Sequence, residues 1–187
     1  MLNTPAPAKP EGVAEDVWAQ MLSASPVEAR RLIRTGQFTA PTSGLCPGYA
    51  QANLIVLPRE QAYDFLLFAQ RNPKPCPLLE VTEVGAREAT ICATDCDIAA
   101  DFPRYRIYEH GKLVAEVENV EDHWRDDLVS FVIGCSFSLE SELIEAGIEI
   151  RHNTMGCNVL KYLTGATCTP AGSMFGTLVM TMRTLPD

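Results

Sequence analysis

The apolar run Leu128-Val129-Ser130-Phe131-Val132-Ile133 ends in Gly134-Cys135-Ser136-Phe137-Ser138, and a helical pattern begins at once. Its last part, Phe131 to Ile133, reads as a short buried strand or as the end of a buried helix. The segment after it carries Leu139, Leu143, Ile144 and Ala146 on one side and stops at Gly147. That is the pattern of an amphipathic helix, with Ser136 or Ser138 as its N-cap and a glycine past its end. Two readings stay open. One is a capped strand–helix turn with a buried Cys135. The other is a binding turn. Glycine lets a ligand approach the backbone, and free N–H groups at a helix start suit a carboxylate or phosphate. Two hydroxyls and a thiol sit at the same place.

The chain has 187 residues, enough for a sizeable core, and 47% of them are hydrophobic. No run approaches the roughly 20 apolar residues that a membrane helix requires, so no membrane partner is expected. A net charge of −9 argues against nucleic acid and anionic membranes, which reward clustered positive charge. Residues 1–12 are rich in Pro and Ala and lack a basic region followed by an apolar one. They read as a flexible arm rather than a secretory signal. Seven cysteines, an odd number, then point to reduced thiols in the cytoplasm. Cys92 and Cys96 form the one close pair, at a spacing atypical of zinc sites, so no metal is expected.

The coarse order is helices first, then alternating strands and helices. Residues 13–21 predict a short amphipathic helix. Ser25-Pro26-Val27-Glu28 opens a second by a capping box with proline at the first position, and Gly36 ends it. Its Arg30, Arg31 and Arg34 read as a solvated face. A loop rich in turn formers and hydroxyls, residues 39–53, precedes the buried strand Leu54-Ile55-Val56-Leu57. Pro58 opens a helix with Tyr63, Phe65, Leu66, Leu67 and Phe68 inward, ending at Asn72-Pro73. Residues 105–108 and 113–117 flank Glu109-His110-Gly111-Lys112, a hairpin signal. Asp95, Asp97 and Asp101 read as a solvated loop rather than a calcium loop. Ile148 to Ile150 has a short strand pattern, and Leu178 to Met182 is strand-like. The expected architecture is α/β, a mixed sheet with flanking helices and an inserted smaller α+β subdomain that contains the hairpin. The arm would be 1–12, the main domain 13–79 with 148–187, and the insert 80–147.

No G-x-G-x-x-G, P-loop, G-x-S-x-G or H-E-x-x-H is present, and no cofactor is expected. Of three histidines, His110 falls in the hairpin turn and His152 follows Arg151 and could enter a pocket; the other reading, for each of the three including His123, is a satisfied or surface side chain. Asp126 and Asp127 could supply an acid or base if one is desolvated, or could cap or solvate a helix start. Cys135 could be a nucleophile or proton donor, or a buried small side chain.

Long stretches of the chain resemble the YcsI-type hydro-lyase family, to which D-glutamate cyclase belongs. They are Ala40-Pro41-Thr42-Ser43-Gly44-Leu45-Cys46-Pro47-Gly48-Tyr49-Ala50-Gln51-Ala52-Asn53-Leu54 and Arg71-Asn72-Pro73-Lys74-Pro75-Cys76-Pro77-Leu78-Leu79-Glu80. Asp101-Phe102-Pro103-Arg104-Tyr105-Arg106, Trp124-Arg125-Asp126-Asp127-Leu128, Ile133-Gly134-Cys135-Ser136-Phe137-Ser138, Arg151-His152, Asn158-Val159 and Pro170-Ala171-Gly172 follow. The resemblance implies members longer than this chain, so Asp187 is expected to end a shortened form. It also implies a pattern near Pro-Met-Tyr-x-Thr-Asn, where this chain has Leu160-Lys161-Tyr162-Leu163-Thr164-Gly165.

The activity implied is metal-independent loss of water from a small amino or hydroxy acid, for D-glutamate its closure to 5-oxo-D-proline. Asp127, Cys135 and His152 are then the candidates for moving protons. Gly134, Ser136 and Ser138 would bind a carboxylate and its oxyanion, and Arg151 or Arg71 would clamp the other carboxylate. Tyr49, Gln51 and Asn53 would orient the amine, and Ser43 and Asn158 complete the expected binding set. The alternative is a non-catalytic protein that binds a small carboxylate. A homo-oligomer is open under either.

Overall fold

The structure, a computed structural model, describes residues 7–155 and 159–183. Helices α1 (Glu15–Ser23) and α2 (Pro26–Arg34) precede strand β1 (Ala52–Pro58) and helix α3 (Arg59–Arg71). Next come β2 (Leu78–Val81), the short β3 (Glu88–Ala89) and β4 (Cys96–Asp97), the hairpin β5 (Tyr105–Glu109) and β6 (Lys112–Val117), and β7 (Leu128–Gly134). Helices α4 (Glu140–Glu145) and α5 (Arg151–Thr154) lead to a second hairpin, β8 (Leu160–Thr167) and β9 (Thr177–Met182).

The apolar run is a strand, β7, hydrogen-bonded between β1 and β2 and antiparallel to both. Its residues 129–133 are buried without a break because both faces of the sheet are covered. Alternation on β1 shows the two layers. Ile55 and Leu57 pack with Phe65 of α3 and with Val129, Phe131 and Ile133 of β7. Leu54 and Val56 face the other way, onto Ala89, Cys96 and Ile98. Phe131 is completely buried and meets the Phe65 ring edge-on at 4.8 Å. The expected boundaries placed β7 in the insert, but its ladder ties it to β1 and β2. A strand buried on two faces belongs at the centre of a sheet. Helices and strands are mixed as an α/β reading requires, and every pairing among the described residues is antiparallel.

The second helix forms as its sequence dictates. Ser25 Oγ accepts the Glu28 N–H, and the Ser25 N–H donates to the Glu28 carboxylate at 2.8 Å. Its buried Ala29 and Ile33 join Trp18, Met21, Phe38 and Leu45 in a separate apolar layer. The first hairpin also forms where expected. His110 and Gly111 both take positive φ, 48° and 77°, as a two-residue turn matched to strand twist requires. Tyr63 does not point inward as expected; it is 71% exposed. Residues 148–150 are not a strand, although Ile150 is buried.

Two charged groups were misread as solvated. Asp101 is a buried anchor whose carboxylate accepts two hydrogen bonds from Arg34, at 2.7 and 2.8 Å, and the Asp97 N–H at 2.9 Å. Arg30 lies 3.7 Å from the same carboxylate and donates to the Thr94 carbonyl. The arginine face of α2 therefore clamps the loop around Asp95, Asp97 and Asp101. Paired charges can be buried where unpaired ones cannot.

Glu80 is a second buried carboxylate, 4% exposed. It accepts the backbone N–H groups of Thr90, Ile91 and Cys92 at 2.6, 3.1 and 2.8 Å. Burial acts to raise its pKa, but the donors outweigh burial and hold it below the ordinary carboxylate value. A lowered folded-state pKa gives stability that is full above the unfolded value, about 4.3, and lost as pH falls through the folded one. Glu80→Gln is therefore expected to destabilise by about 1–3 kcal/mol at pH 7. Its melting temperature should converge with the wild-type value as pH falls below about 4. Parallel thermal melts from pH 7 to pH 3 check this; a gap that widens on acidification would refute it. Burial, together with neighbouring Glu80, pushes the Cys92 thiol up to about 12, and burial pushes Cys96 up to about 11. Neither is poised as a thiolate near neutral pH.

The β8–β9 hairpin is pinned at its closed end. Asn72, at the C-cap of α3, exchanges hydrogen bonds with the Thr169 backbone at 2.8 and 2.7 Å. Asp64 accepts from the Ser173 backbone at 2.9 Å, and Arg71 donates to the Pro170 carbonyl at 2.6 Å. Among the described residues, no helix is long and apolar enough to cross a membrane.

Candidate functional site

The sheet has two ends, and a buried polar cluster stands at one. Gly134 closes β7 opposite Ala52 of β1, and its N–H donates to the Pro77 carbonyl at 2.8 Å. The chain then turns through a short 3-10 segment, Ser136–Leu139, into α4. Around this turn stand Glu140 from α4, His152 from α5, and Thr181 and Arg183 at the end of β9.

The cluster is tightly bonded. Arg183 donates through Nε and Nη2 to Glu140 Oε1, at 2.8 and 2.6 Å. Nη1 donates to Thr181 Oγ1 at 3.0 Å, and Nη2 reaches the Ser136 carbonyl at 3.2 Å and its hydroxyl at 3.3 Å. The Thr181 and Ser136 hydroxyls are 3.2 Å apart. His152 Nε2 lies 3.2 Å from Glu140 Oε1, and the side chains of His152 and Glu140 are only 10% and 4% exposed. Arg183 also covers the Phe137 ring at 5.8 Å from its centroid. A guanidinium and an imidazole thus converge on one buried carboxylate oxygen, and the guanidinium also reaches the Ser136 hydroxyl.

Ser136 joins this cluster, but neither serine caps the helix as expected. Ser136 Oγ is committed to Thr181 and Arg183. Ser138 Oγ accepts the Gln51 N–H at 2.8 Å and donates to the Gln51 carbonyl at 3.2 Å. The helix that follows has six residues, Glu140–Glu145. The expected N-terminal anion site therefore has no long helix behind it. The helix does stop at Gly147, whose N–H bonds the Ile144 carbonyl. Gly134 serves packing: a Cβ there would stand 3.3 Å from Pro77 Cγ.

The other expected residues divide by location. Cys135 is half-buried within the turn, with its N–H on the Gln51 carbonyl at 2.9 Å. Gln51 is at this end too, but its amide is spent on the preceding loop. Oε1 accepts from Thr42 at 2.9 Å, and Nε2 donates to the Leu45 carbonyl at 3.0 Å. It ties the loop to the turn rather than orienting a ligand's amine. Ser43 lies half-buried in that loop, Tyr49 is 61% exposed, and Asn53 is exposed on β1 opposite Ile133. Arg71 holds Pro170 as described. Arg151 opens α5 on the outside, next to the inward His152. Asn158 lies outside the described residues.

Asp127 is not part of this cluster. It precedes the first residue of β7, and at about 3.3 Å per residue the seven-residue strand puts it roughly 20 Å from Gly134. Its carboxylate accepts two hydrogen bonds from exposed Arg125, at 2.8 and 3.1 Å. Those bonds hold it below the usual carboxylate range, which is the wrong direction for a base poised near neutral pH.

Glu140, Thr181 and Arg183 were missed by sequence reasoning. Glu140 reads only as an acid in the first turn of the amphipathic helix, and Arg183 only as the residue after a strand-like run. A single basic residue closing the apolar strand Leu178-Val179-Met180-Thr181-Met182 was the one available signal.

The family described as "D-glutamate cyclase" matches residues 129–187, a span that holds β7 from Val129 onward together with Ser136, Glu140, His152, Thr181 and Arg183. A Clostridium beijerinckii protein described as "Putative hydro-lyase" is 58% identical over 161 residues, 86% of this chain and 62% of that protein. "Putative hydro-lyase YcsI" of Bacillus subtilis is 52% identical over 163 residues, 87% of this chain and 63% of its own length. A "Putative hydro-lyase" of Stutzerimonas stutzeri is 53% identical over 162 residues, 87% and 61% respectively. The chain thus spans a little over three fifths of the curated relatives it matches.

Proposed function

The chain belongs to the YcsI-type hydro-lyase family, and from that premise we propose that it removes water from a small carboxylate-bearing amino or hydroxy acid at the Ser136 end of the sheet. The observation that carries the reading is the buried Glu140–His152–Arg183 cluster bonded to Ser136, inside the turn that the sequence marks out. For D-glutamate the reaction is ring closure to 5-oxo-D-proline. The α-nitrogen forms a bond to the γ-carbon, and one γ-carboxylate oxygen leaves. The ammonium surrenders two protons, and both depart on that oxygen as water.

The named groups supply what such a step requires. Ser136 offers a hydroxyl held in place by Arg183 and Thr181. Cys135 lies beside it in the turn, and His152 brings a titratable imidazole. Arg183 acts chiefly by positioning. Of its five N–H groups, four are taken by Glu140, Thr181 and Ser136. Holding nitrogen and carbonyl carbon at reactive distance supplies much of the rate in a ring closure.

Proton NMR of D- and L-glutamate, incubated separately with the protein with and without EDTA, tests this. We expect 5-oxoproline from the D enantiomer, at the same rate with the chelator. Loss of turnover with EDTA would overturn the metal-free reading. Absence of product from both enantiomers would overturn the cyclase reading.

A further inference from the structure

We propose that Glu140 is the proton-transfer group of this site and that its Oε2 is the atom presented to the substrate; this rests on the reading above. Two observations point to it independently of the family. The first is an asymmetry within one carboxylate. Oε1 is crowded by Arg183 Nε, Arg183 Nη2 and His152 Nε2 at 2.8, 2.6 and 3.2 Å. Oε2 is equally buried and has no hydrogen-bond partner. The second is that His152 Nε2, close as it is to Oε1, also makes no hydrogen bond. Its orientation does not serve that contact.

Unsatisfied buried polar atoms are rare and costly, more so on a charged group. Here two stand side by side in one cluster. A substrate N–H or O–H would satisfy Oε2, and a substrate oxygen would satisfy a protonated His152 Nε2. The groups facing Glu140 are Arg183 after β9 and His152 of α5. Arg183, itself held by Ser136 and Thr181, fixes the carboxylate's orientation and leaves one oxygen for transfer.

The step balances without an outside reactant. For D-glutamate, Glu140 Oε2 takes one proton from the ammonium, the freed nitrogen pair forms the bond to the γ-carbon, and Oε2 hands that proton to a γ-carboxylate oxygen. As the carbonyl re-forms and the carbon–oxygen bond breaks, Oε2 takes the second nitrogen proton and passes it to the departing oxygen, which leaves as water. Glu140 ends as it began, and water is the only by-product.

The test uses the full chain with D-glutamate and follows 5-oxoproline. Glu140→Gln keeps the shape and an oxygen for Arg183 but cannot transfer a proton. We expect kcat to fall by about 10²–10⁴-fold with KM within about threefold of wild type. Glu140→Asp should retain part of the activity. Glu140→Ala should regain turnover with added formate, which a purely structural carboxylate would not allow. Wild-type kcat in Glu140→Gln, or a loss confined to KM, would overturn the assignment. If the wild type turns over neither enantiomer, the cyclase reading fails by itself. The His152 ring resonances then decide the assignment. Movement on adding D-glutamate in the wild type but not in Glu140→Gln supports Oε2 as the ligand-facing atom, and no movement in the wild type overturns it.

Discussion

Arg183→Met is expected to be among the most destabilising single changes in this chain. The guanidinium, with its side chain 14% exposed, is the counter-charge of a carboxylate that is 4% exposed. Removing one partner of a buried pair leaves the other charged and unpaired, which costs about 3–5 kcal/mol. For a chain of this length that is a melting-temperature drop of roughly 6–20 °C. Arg183→Lys should fall between, because a single ammonium cannot reach Glu140, Thr181 and the Ser136 carbonyl together. The double variant Arg183→Met with Glu140→Met separates structure from chemistry. Replacing both charges with apolar groups removes the unpaired carboxylate, so most of the stability should return while turnover stays lost. Circular-dichroism melts of the three variants provide the measurement. An Arg183→Met melt within a degree or two of wild type would show that the pair is solvated after all.

The second large effect is expected in the core. Phe131 sits at the middle of β7, completely buried, with the Phe65 ring at 4.8 Å. Truncating a buried phenylalanine to alanine removes its transfer free energy and leaves a cavity, about 3–5 kcal/mol in all. β7 is hydrogen-bonded on both edges and covered on both faces, so it has little freedom to collapse into the gap. Phe175→Ala supplies the contrast. That ring is 83% exposed, and its loss should change stability by no more than about 0.5 kcal/mol. Urea unfolding of the two variants, fitted with a common slope, checks the difference. Equal midpoints would mean that the packing around Phe131 does not limit stability.

Much of the scaffold could be read before the structure was known. Ser25-Pro26-Val27-Glu28 predicts its helix because the capping residues satisfy the orphan N–H groups locally. His110-Gly111 predicts its turn because two consecutive positive φ angles favour that dipeptide. The apolar run Phe131 to Ile133 predicts a buried segment, and β7 is buried from Val129 to Ile133. Each signal is local: the residues that announce the element also make its bonds.

The candidate site was legible only in part. Ser136, Cys135 and His152 stand in stretches that resemble the family, and the structure keeps them at one end of the sheet. Asp127 carries the same resemblance, but the strand between them separates it from the turn. Gln51 is in the right place and is occupied with Thr42 and Leu45. Asp101 and the α2 arginines read as solvated because charge in a sequence is presumed exposed. Only contact across more than sixty positions shows them paired, as the Arg34–Asp101 separation of 67 does.

The sequence by itself determined several local elements, the burial of the apolar run and the turn that follows it. These follow from short-range capping, backbone preference and the need to bury apolar surface. The tertiary structure decided which charges are buried and with whom. It brought Glu140, at the start of a six-residue helix, against Arg183, 43 residues later, and left one carboxylate oxygen without a partner. Ionic partners are chosen by position in space, because a charge leaves water only where a specific opposite group is held to receive it. No periodicity along the chain encodes that meeting.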